Sequence, residues 1–97
     1  MIFEWDERKR RENLRKHGLD FRDGAAVFRW RTLTMLDHRF DYGEDRWRTI
    51  GMLRERVVVM VYVVRGNALR IISFRKADEH EQTRYFETFE DRLEAHR

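Results

Sequence analysis

The sequence predicts an α+β fold, with two N-terminal helices, an antiparallel sheet of about four strands and a C-terminal helix. Helix-type patterns occupy the beginning and the end of the chain, strand-type patterns fill the middle, and only short turns separate the last strands. Such short connections favour antiparallel hairpins, because parallel strands need a long crossover. We expect the helices to pack against one face of the sheet and the other face to remain partly open to a ligand.

The N-terminal segment is predicted to form a short strand and two helices. Residues 1–5 have a strand pattern, and Asp6 is a suitable N-cap for a helix over Glu7–Lys16. That helix is expected to stop at His17-Gly18, and basic residues in its last turn complement the helix dipole. A second helix is expected over about 21–28, where apolar side chains recur on one stripe.

Four strand patterns follow. The first is Leu33–Asp37, and a turn-rich segment separates it from an alternating strand over Arg46–Leu53. Val57–Val64 is continuously apolar and rich in β-branched residues, which predicts a central strand covered on both faces. A short turn leads into the last strand, Ala68–Arg75.

A C-terminal helix is predicted from about Asp78 to Ala95. Asp78 and Glu81 have the spacing of a capping pair, in which each side chain bonds the backbone of the other residue. The apolar stripe that should face the sheet consists of Tyr85 or Phe86, Phe89 and Leu93.

The bulk composition predicts a single domain over residues 1–97. The chain has no cysteine, which excludes disulfides and cysteine-based zinc sites. Its first residues contain no apolar core of signal-peptide length, and its longest apolar run, Val57–Val64, is far shorter than a membrane span. We therefore expect a soluble, cytoplasmic protein with no membrane partner.

The charge balance permits a nucleic-acid partner. Lys and Arg number 21 against 18 Asp and Glu, which gives a net charge of +3 and a pI near 9.7. Most of the basic residues are arginines, whose planar fork matches the geometry of phosphate oxygens. The excess is small, so the charge by itself does not establish such a partner.

The segment RIISFRKADEHEQTRYF, residues 70–86, is the most informative part of the chain. A predicted strand runs directly into a predicted helix, and Arg, Ser, Lys, His and Tyr side chains gather around the junction. Two interpretations are open at this point. The junction is either a solvated sheet edge or a pocket for a phosphate.

Three blocks of the sequence together resemble the BrnT toxins, the toxin halves of type II toxin–antitoxin pairs. The blocks are FEWDERKRRENLRKHGLDF (Phe3–Phe21), DHRFDYGEDRWRTIG (Asp37–Gly51) and RIISFRKADEHEQTRY (Arg70–Tyr85), and they follow in the expected order with similar gaps. The resemblance implies a RelE-like fold. It also implies a metal-independent ribonuclease that uses no cofactor and inhibits translation.

The same resemblance implies partners. A cognate antitoxin, BrnA, is expected to bind and silence the enzyme, in a complex that is expected to be a heterotetramer. That complex is expected to bind DNA at its own promoter, through contacts made by the antitoxin, and so to repress the operon. An acidic or amphipathic antitoxin segment that covers a basic site would inhibit it without any change of shape.

Metal-free cleavage of RNA uses the 2′-hydroxyl of the RNA itself, which attacks the adjacent phosphate. The protein must supply a base, an acid, and cations that stabilise the extra negative charge of the transition state. Histidine suits proton transfer near neutral pH, whereas arginine stays protonated and suits charge stabilisation. The predicted catalytic residues are His17, Glu44, Arg46, Arg75 and Tyr85. The predicted RNA-binding residues are Lys16, Arg48 and Lys76.

Several of these residues also have a purely structural interpretation. His17 follows a predicted helix, where a protonated imidazole would balance the helix dipole. Three interpretations of Glu44 are open: it is a base, it orients an arginine, or it forms an ordinary surface ion pair. Tyr85 is either a phenol that donates a hydrogen bond near the site or a residue packed in the core.

Alternation along the strands predicts which arginines can meet. Arg46 and Arg48 share one face of their strand. Arg75 is predicted to share a face with Ile71, and Arg70 to lie on the opposite face, so these two arginines should act at one phosphate only if the strand bulges. We expect Arg46 and Arg75, from separate strands, to meet around one scissile phosphodiester.

Two other functions are compatible with the residues. One is a non-catalytic basic module that only binds a partner protein or a nucleic acid. The other is a metal-dependent nuclease that would use Asp37, His38 and His80, but these residues have no recognised ligand spacing. We therefore expect no metal site.

Overall fold

The computed structural model describes residues 1–39, 41 and 43–94. Its elements in chain order are β1 (Ile2–Glu4), α1 (Glu7–His17), a 3-10 turn (Phe21–Asp23), α2 (Gly24–Val27), β2 (Leu33–Leu36), β3 (Trp47–Leu53), β4 (Arg56–Arg65), β5 (Ala68–Lys76) and α3 (Glu79–Glu94). The predicted α+β class is confirmed, and each predicted strand is present within a residue or two of its expected bounds. No helix among the described residues is long and apolar enough to cross a membrane.

The sheet has five strands in the order β1-β5-β4-β3-β2 and is mixed. Strands β2 to β5 form the expected antiparallel meander. The prediction of an all-antiparallel sheet of about four strands is wrong in one respect, because β1 adds a fifth strand that runs parallel to β5. Parallel strands need a long connection, and here the connection is the whole segment from the end of β1 to the start of β5.

The helices cover both faces of the sheet, so the prediction that they share one face is wrong. Met60 and Tyr62 of β4 pack in one core with Phe21 and Val27, on the side of α1 and α2. The alternate residues of β4 point to the other side, where Val57, Val59 and Ile50 pack with Tyr85 and Phe89 of α3. The cause is the continuously apolar sequence of β4, which must be covered on both faces.

The second N-terminal helix is shorter than predicted. Its first turn, Phe21–Asp23, is 3-10, and only Gly24–Val27 is α-helical. This segment lies very close to the sheet, since a Cβ placed on Gly51 of β3 would be 2.6 Å from a methyl group of Val27. The glycine thus permits the close contact that anchors α2 on the sheet.

Helix α1 is fixed beside the edge of β5 by one buried amide. Its ends are as predicted, with Asp6 accepting from the Lys9 backbone N–H and Gly18 in the left-handed conformation. Beyond the end of β1, the Asn13 side chain donates to the Phe74 carbonyl at 2.7 Å and accepts from the Phe74 N–H at 3.1 Å. Asn13 thereby replaces a neighbouring strand and places the C-terminus of α1 near the end of β5.

A bulge at Ile72 changes which residues of β5 share a face. Ser73 pairs with Val61 of β4, and Ile71 pairs with the next residue, Tyr62. Ile71 therefore points into the core with Phe74, and the prediction that Ile71 shares the face of Arg75 is wrong. The bulge also brings Arg70 to the face of Arg75, but about five residues of strand, on the order of 16 Å, still separate the two.

Candidate functional site

Two arginines from different strands converge on one carboxylate. Arg75, near the end of β5, donates from Nη1 to Glu81 Oε1 at 2.8 Å and from Nη2 to Oε2 at 3.0 Å. Arg48 of β3 approaches Oε2 of the same carboxylate from Nη1 at 3.5 Å. Both arginines lie on the sheet face that α3 covers, with β4 between their strands. We call Arg48, Arg75 and Glu81 the arginine cluster.

Glu81 is held in place by the start of α3. Its Oε1 accepts from the Asp78 N–H at 2.9 Å, while its own N–H donates to Asp78 Oδ1 at 2.8 Å. This is the predicted capping pair, and it is confirmed. The same carboxylate thus bonds the start of α3 and both arginines. Only 7% of Glu81 is exposed, so water reaches little of it.

Electrostatics keep Glu81 ionised. Burial opposes the charge and would raise the pKa of Glu81. The Arg75 hydrogen bonds, the Asp78 N–H and the charges of Arg75 and Arg48 outweigh it, and they lower that pKa to about 2. Glu81 is therefore a carboxylate at neutral pH and cannot donate a proton. The cluster retains one surplus positive charge, which suits a phosphate.

His17 lies close to this cluster, at the C-terminus of α1. Burial lowers its pKa from the ordinary value of 6.5, and the positive charges of Lys16 and Arg75 lower it further. The imidazole is consequently neutral at pH 7, the form that accepts a proton. His17 borders a groove of about 200 Å³ between α1 and β5, which is lined by Lys9, Glu12, Asn13, Lys16, His17, Ile72 and Ser73.

Lys16 and Lys76, the two lysines predicted to bind RNA, are both exposed. The Lys16 side chain is exposed and lines the same groove. Lys76 is also exposed and ends β5, and its carbonyl accepts from Arg75 Nη1 at 3.3 Å. Lys76 therefore lies next to Arg75, whereas Lys16 belongs to the groove of His17.

Arg46 and Glu44 line a second cavity, of about 550 Å³. Arg46 directly precedes β3, and by alternation it lies on the same face as Arg48. Glu44 is exposed and pairs with Arg65 at 3.5 Å. Arg75 is not among the described residues that line this cavity, so the guanidinium that meets Arg75 across the sheet is that of Arg48.

Tyr85 lies one helical turn after Glu81 and is packed. Its hydroxyl donates to the Arg31 carbonyl at 2.9 Å, and its ring contacts Phe89. Burial raises the pKa of Tyr85, so the phenol stays protonated at neutral pH. This geometry agrees with the core-packing interpretation, while the hydroxyl remains on the α3 side of the sheet.

The residues considered for a metal are divided between two cavities. Asp37 and His38 line the cavity of Arg46, whereas His80 lines a third cavity, of about 210 Å³, beside Arg48 and Glu81. Within the described ranges, no three His, Cys, Asp or Glu side chains come together in a group that could hold a metal ion.

Glu81 is the site residue that sequence reasoning missed. Its spacing from Asp78 identified it only as part of a helix cap. A further signal was available, since Glu81 follows Arg75 by six residues, immediately beyond a strand-to-helix junction. A carboxylate on the first turn of such a helix can reach back to the end of the strand.

A comparison with known families finds one match. The model of one family, described as the ribonuclease toxin BrnT of type II toxin–antitoxin systems, matches residues 5–81. The matched segment contains α1, the whole antiparallel meander and every member of the arginine cluster. No curated protein matches the chain.

Proposed function

Because this chain belongs to the BrnT family of type II ribonuclease toxins, we propose that it cleaves RNA at the arginine cluster, without a metal, and so inhibits translation. The observation that carries the proposal is the convergence of Arg75 and Arg48 on a single carboxylate. A pair of guanidinium forks aimed at one anion suits a phosphodiester whose negative charge increases in the transition state. A RelE-like fold and action in the cytoplasm are part of the same proposal.

The proposed reaction is transfer of the phosphate to the neighbouring 2′-oxygen. The neutral imidazole of His17 takes the proton of the 2′-hydroxyl, the 2′-oxygen bonds to phosphorus, and the bond from phosphorus to the 5′-oxygen breaks. The 5′-oxygen receives a proton from a second group, for which the protonated phenol of Tyr85 is one candidate. Arg48 and Arg75 stabilise the extra charge on the phosphate.

Other residues are proposed to bind the RNA on either side of the scissile phosphate. Lys76 is an exposed cation beside Arg75, Lys16 is an exposed cation in the groove of His17, and both would contact flanking phosphates. Arg46, in the adjoining cavity with Glu44, would contact the chain further along the same face. In this arrangement Glu44 orients an arginine or accepts a proton.

An antitoxin partner follows from the family, and we propose that it is of the BrnA type. An acidic or amphipathic antitoxin segment would fit the basic surface formed by Lys16, Lys76 and the arginine cluster, and would exclude RNA from it. The complex is proposed to be a heterotetramer that binds operator DNA through the antitoxin.

The proposal is tested by Arg75→Ala in a purified cleavage assay. We expect the cleavage rate to fall by at least ~100-fold, because a preorganised cation at the reacting phosphate is lost. Arg56→Ala is the matched control, since Arg56 is an exposed strand arginine on the opposite sheet face and should leave the rate unchanged. Circular dichroism should show the native fold for both variants.

Three outcomes would count against the proposal. Full activity of Arg75→Ala would remove that residue from the site, and loss of cleavage in excess chelator would indicate a metal-dependent nuclease. Wild-type protein that binds RNA without cleaving it would indicate the non-catalytic interaction module.

In cells, expression of the wild type should arrest growth, and co-expression of the antitoxin should restore it.

A further inference from the structure

The carboxylate of Glu81 occupies the centre of the arginine cluster. Its two oxygens each receive a hydrogen bond from the fork of Arg75, and Arg48 contacts one of them from the neighbouring side. A phosphate held by the same fork would place two of its oxygens in the same way. In the free protein, therefore, an internal anion holds the position that suits the substrate phosphate.

The site is not fully satisfied by this internal anion. Nε of Arg48 is buried, and among the described residues it has no hydrogen-bond partner. The cavity of about 210 Å³ next to it gives access from outside, and its lining includes Arg48, His80, Glu81 and Arg84. A phosphodiester seated between the two arginines could bond the donor that Glu81 leaves unused, because each of its non-bridging oxygens can accept several hydrogen bonds.

Glu81 also has a second anchor. Its Oε1 accepts from the Asp78 N–H at the start of α3, independently of the arginines. When the guanidinium groups turn to another anion, this hydrogen bond still holds the side chain at the helix start. The exchange therefore requires no unfolding of α3.

We propose that Glu81 is a positioning residue that keeps Arg48 and Arg75 oriented in the free protein and yields them to a phosphodiester of the RNA. The inference rests on the ribonuclease function proposed above, and it specifies how the same site binds its substrate. Two consequences follow in opposite directions. Glu81 weakens RNA binding because the phosphate must compete with it, and it supports cleavage because the arginines stay aligned.

The test is Glu81→Gln, which retains an oxygen for the Asp78 N–H and removes the charge. The probe is a 2′-O-methyl RNA oligonucleotide, which cannot be cleaved by 2′-oxygen attack, and its Kd is measured by fluorescence anisotropy. We expect binding roughly tenfold tighter than wild type, since a competing charge close to the phosphate site is lost. The single-turnover cleavage rate of unmodified RNA should fall by roughly tenfold.

Glu79→Gln is the matched control. Glu79 is an exposed acid on the same first turn of α3, so its removal changes the net charge equally. We expect its Kd to remain within about twofold of the wild-type value. In the background of Arg75→Ala, Glu81→Gln should tighten binding less than in the wild type, because only the part of the gain that acts through Arg48 remains.

Binding by Glu81→Gln that equals binding by Glu79→Gln, or a gain that is undiminished without Arg75, would overturn the inference. A variant that loses both binding and cleavage would assign Glu81 a merely structural role. If Glu81→Gln does not fold, Glu81→Asp takes its place, because its shorter carboxylate should release Arg75 and also tighten binding. Since the probe is not cleaved, a wild type without nuclease activity would refute the proposed function and leave this test intact.

Discussion

His17 shows how the surroundings of one residue decide its chemistry. Its position at a helix C-terminus favours a protonated imidazole, but burial and the charges of Lys16 and Arg75 act in the opposite direction and lower its pKa. The difference separates the two interpretations of this residue. A raised pKa would favour the structural cation, whereas a lowered pKa leaves the imidazole neutral at pH 7, as the proposed proton acceptor requires.

Titration of His17 by NMR tests this balance. We expect a pKa below the ordinary value of 6.5 in the wild type, and a higher pKa in Arg75→Ala, because one of the repelling charges is gone. The pKa should stay below 6.5 in that variant, since burial still disfavours the charged form. Cleavage by the wild type should correspondingly decline as the pH falls through the His17 pKa.

Arg56→Ala serves as the control and should leave the His17 titration unchanged. A wild-type pKa above 6.5 would contradict the proposed role as base and would support the helix-dipole interpretation. An identical pKa in wild type and Arg75→Ala would show that the two side chains do not interact.

The arginines show what sequence reasoning could and could not predict about the site. Alternation predicts that Arg46, which directly precedes β3, and Arg48 share one face, and the strand end draws attention to Arg75. Which arginine meets Arg75 depends on the register of two strand pairs, since Arg48 lies opposite Val61 of β4 and Arg75 lies opposite Val59. Register between strands is not contained in the alternation of either one. A catalytic contribution of Arg46 remains a prediction.

At the level of elements, local signals were reliable and long-range ones were not. The caps at Asp6 and Gly18 and the pair Asp78 and Glu81 involve residues three or four positions apart, and all were predicted. The parallel pairing of β1 joins residues more than 60 positions apart. The bulge at Ile72 likewise depends on the partner strand, so neither feature has a signature in its own segment.

Asn13 is the residue that joins α1 to the sheet, and its removal should loosen this connection. The side chain bonds the Phe74 N–H, the Phe74 carbonyl and the Leu19 carbonyl, and it is buried. We expect Asn13→Ala to lower the free energy of unfolding by about 2–3 kcal/mol, because buried backbone groups lose their partners. The measurement is chemical denaturation.

Glu12→Ala is the control for this prediction, since Glu12 is the exposed neighbour of Asn13 on α1 and should change stability by less than about 0.5 kcal/mol. Equal stabilities of the two variants would show that Asn13 is not the connection. Because Asn13 also positions the end of α1 beside β5, Asn13→Ala should weaken the interaction between His17 and Arg75, and the His17 pKa should rise.

On the scale of the whole molecule, the sheet separates two helical layers that approach each other at the end of β5. Helix α1 reaches this end from one face and presents Lys16 and His17, while α3 starts there on the other face and presents Glu81. The modest net charge of +3 therefore understates the local field. Arginines from two strands meet at one carboxylate, although acids nearly balance bases over the whole chain.

Because the proposed contacts are to phosphates, RNA binding should depend steeply on salt, and single residues should account for part of that dependence. Each lost phosphate contact should reduce the slope of log K against log salt concentration by about 0.7 for a single-stranded RNA. We expect this reduction for Arg75→Ala and for Arg48→Ala, measured with the 2′-O-methyl oligonucleotide across a salt series.

Arg56→Ala provides the comparison, because it removes the same unit charge from the other face of the sheet and should leave the slope and the affinity close to the wild-type values. If all three variants give the wild-type slope, RNA does not contact the arginine cluster directly, whatever happens to the affinity. If all three reduce the slope equally, attraction is a property of total charge, and the convergence of Arg48 and Arg75 on Glu81 has no special part in binding.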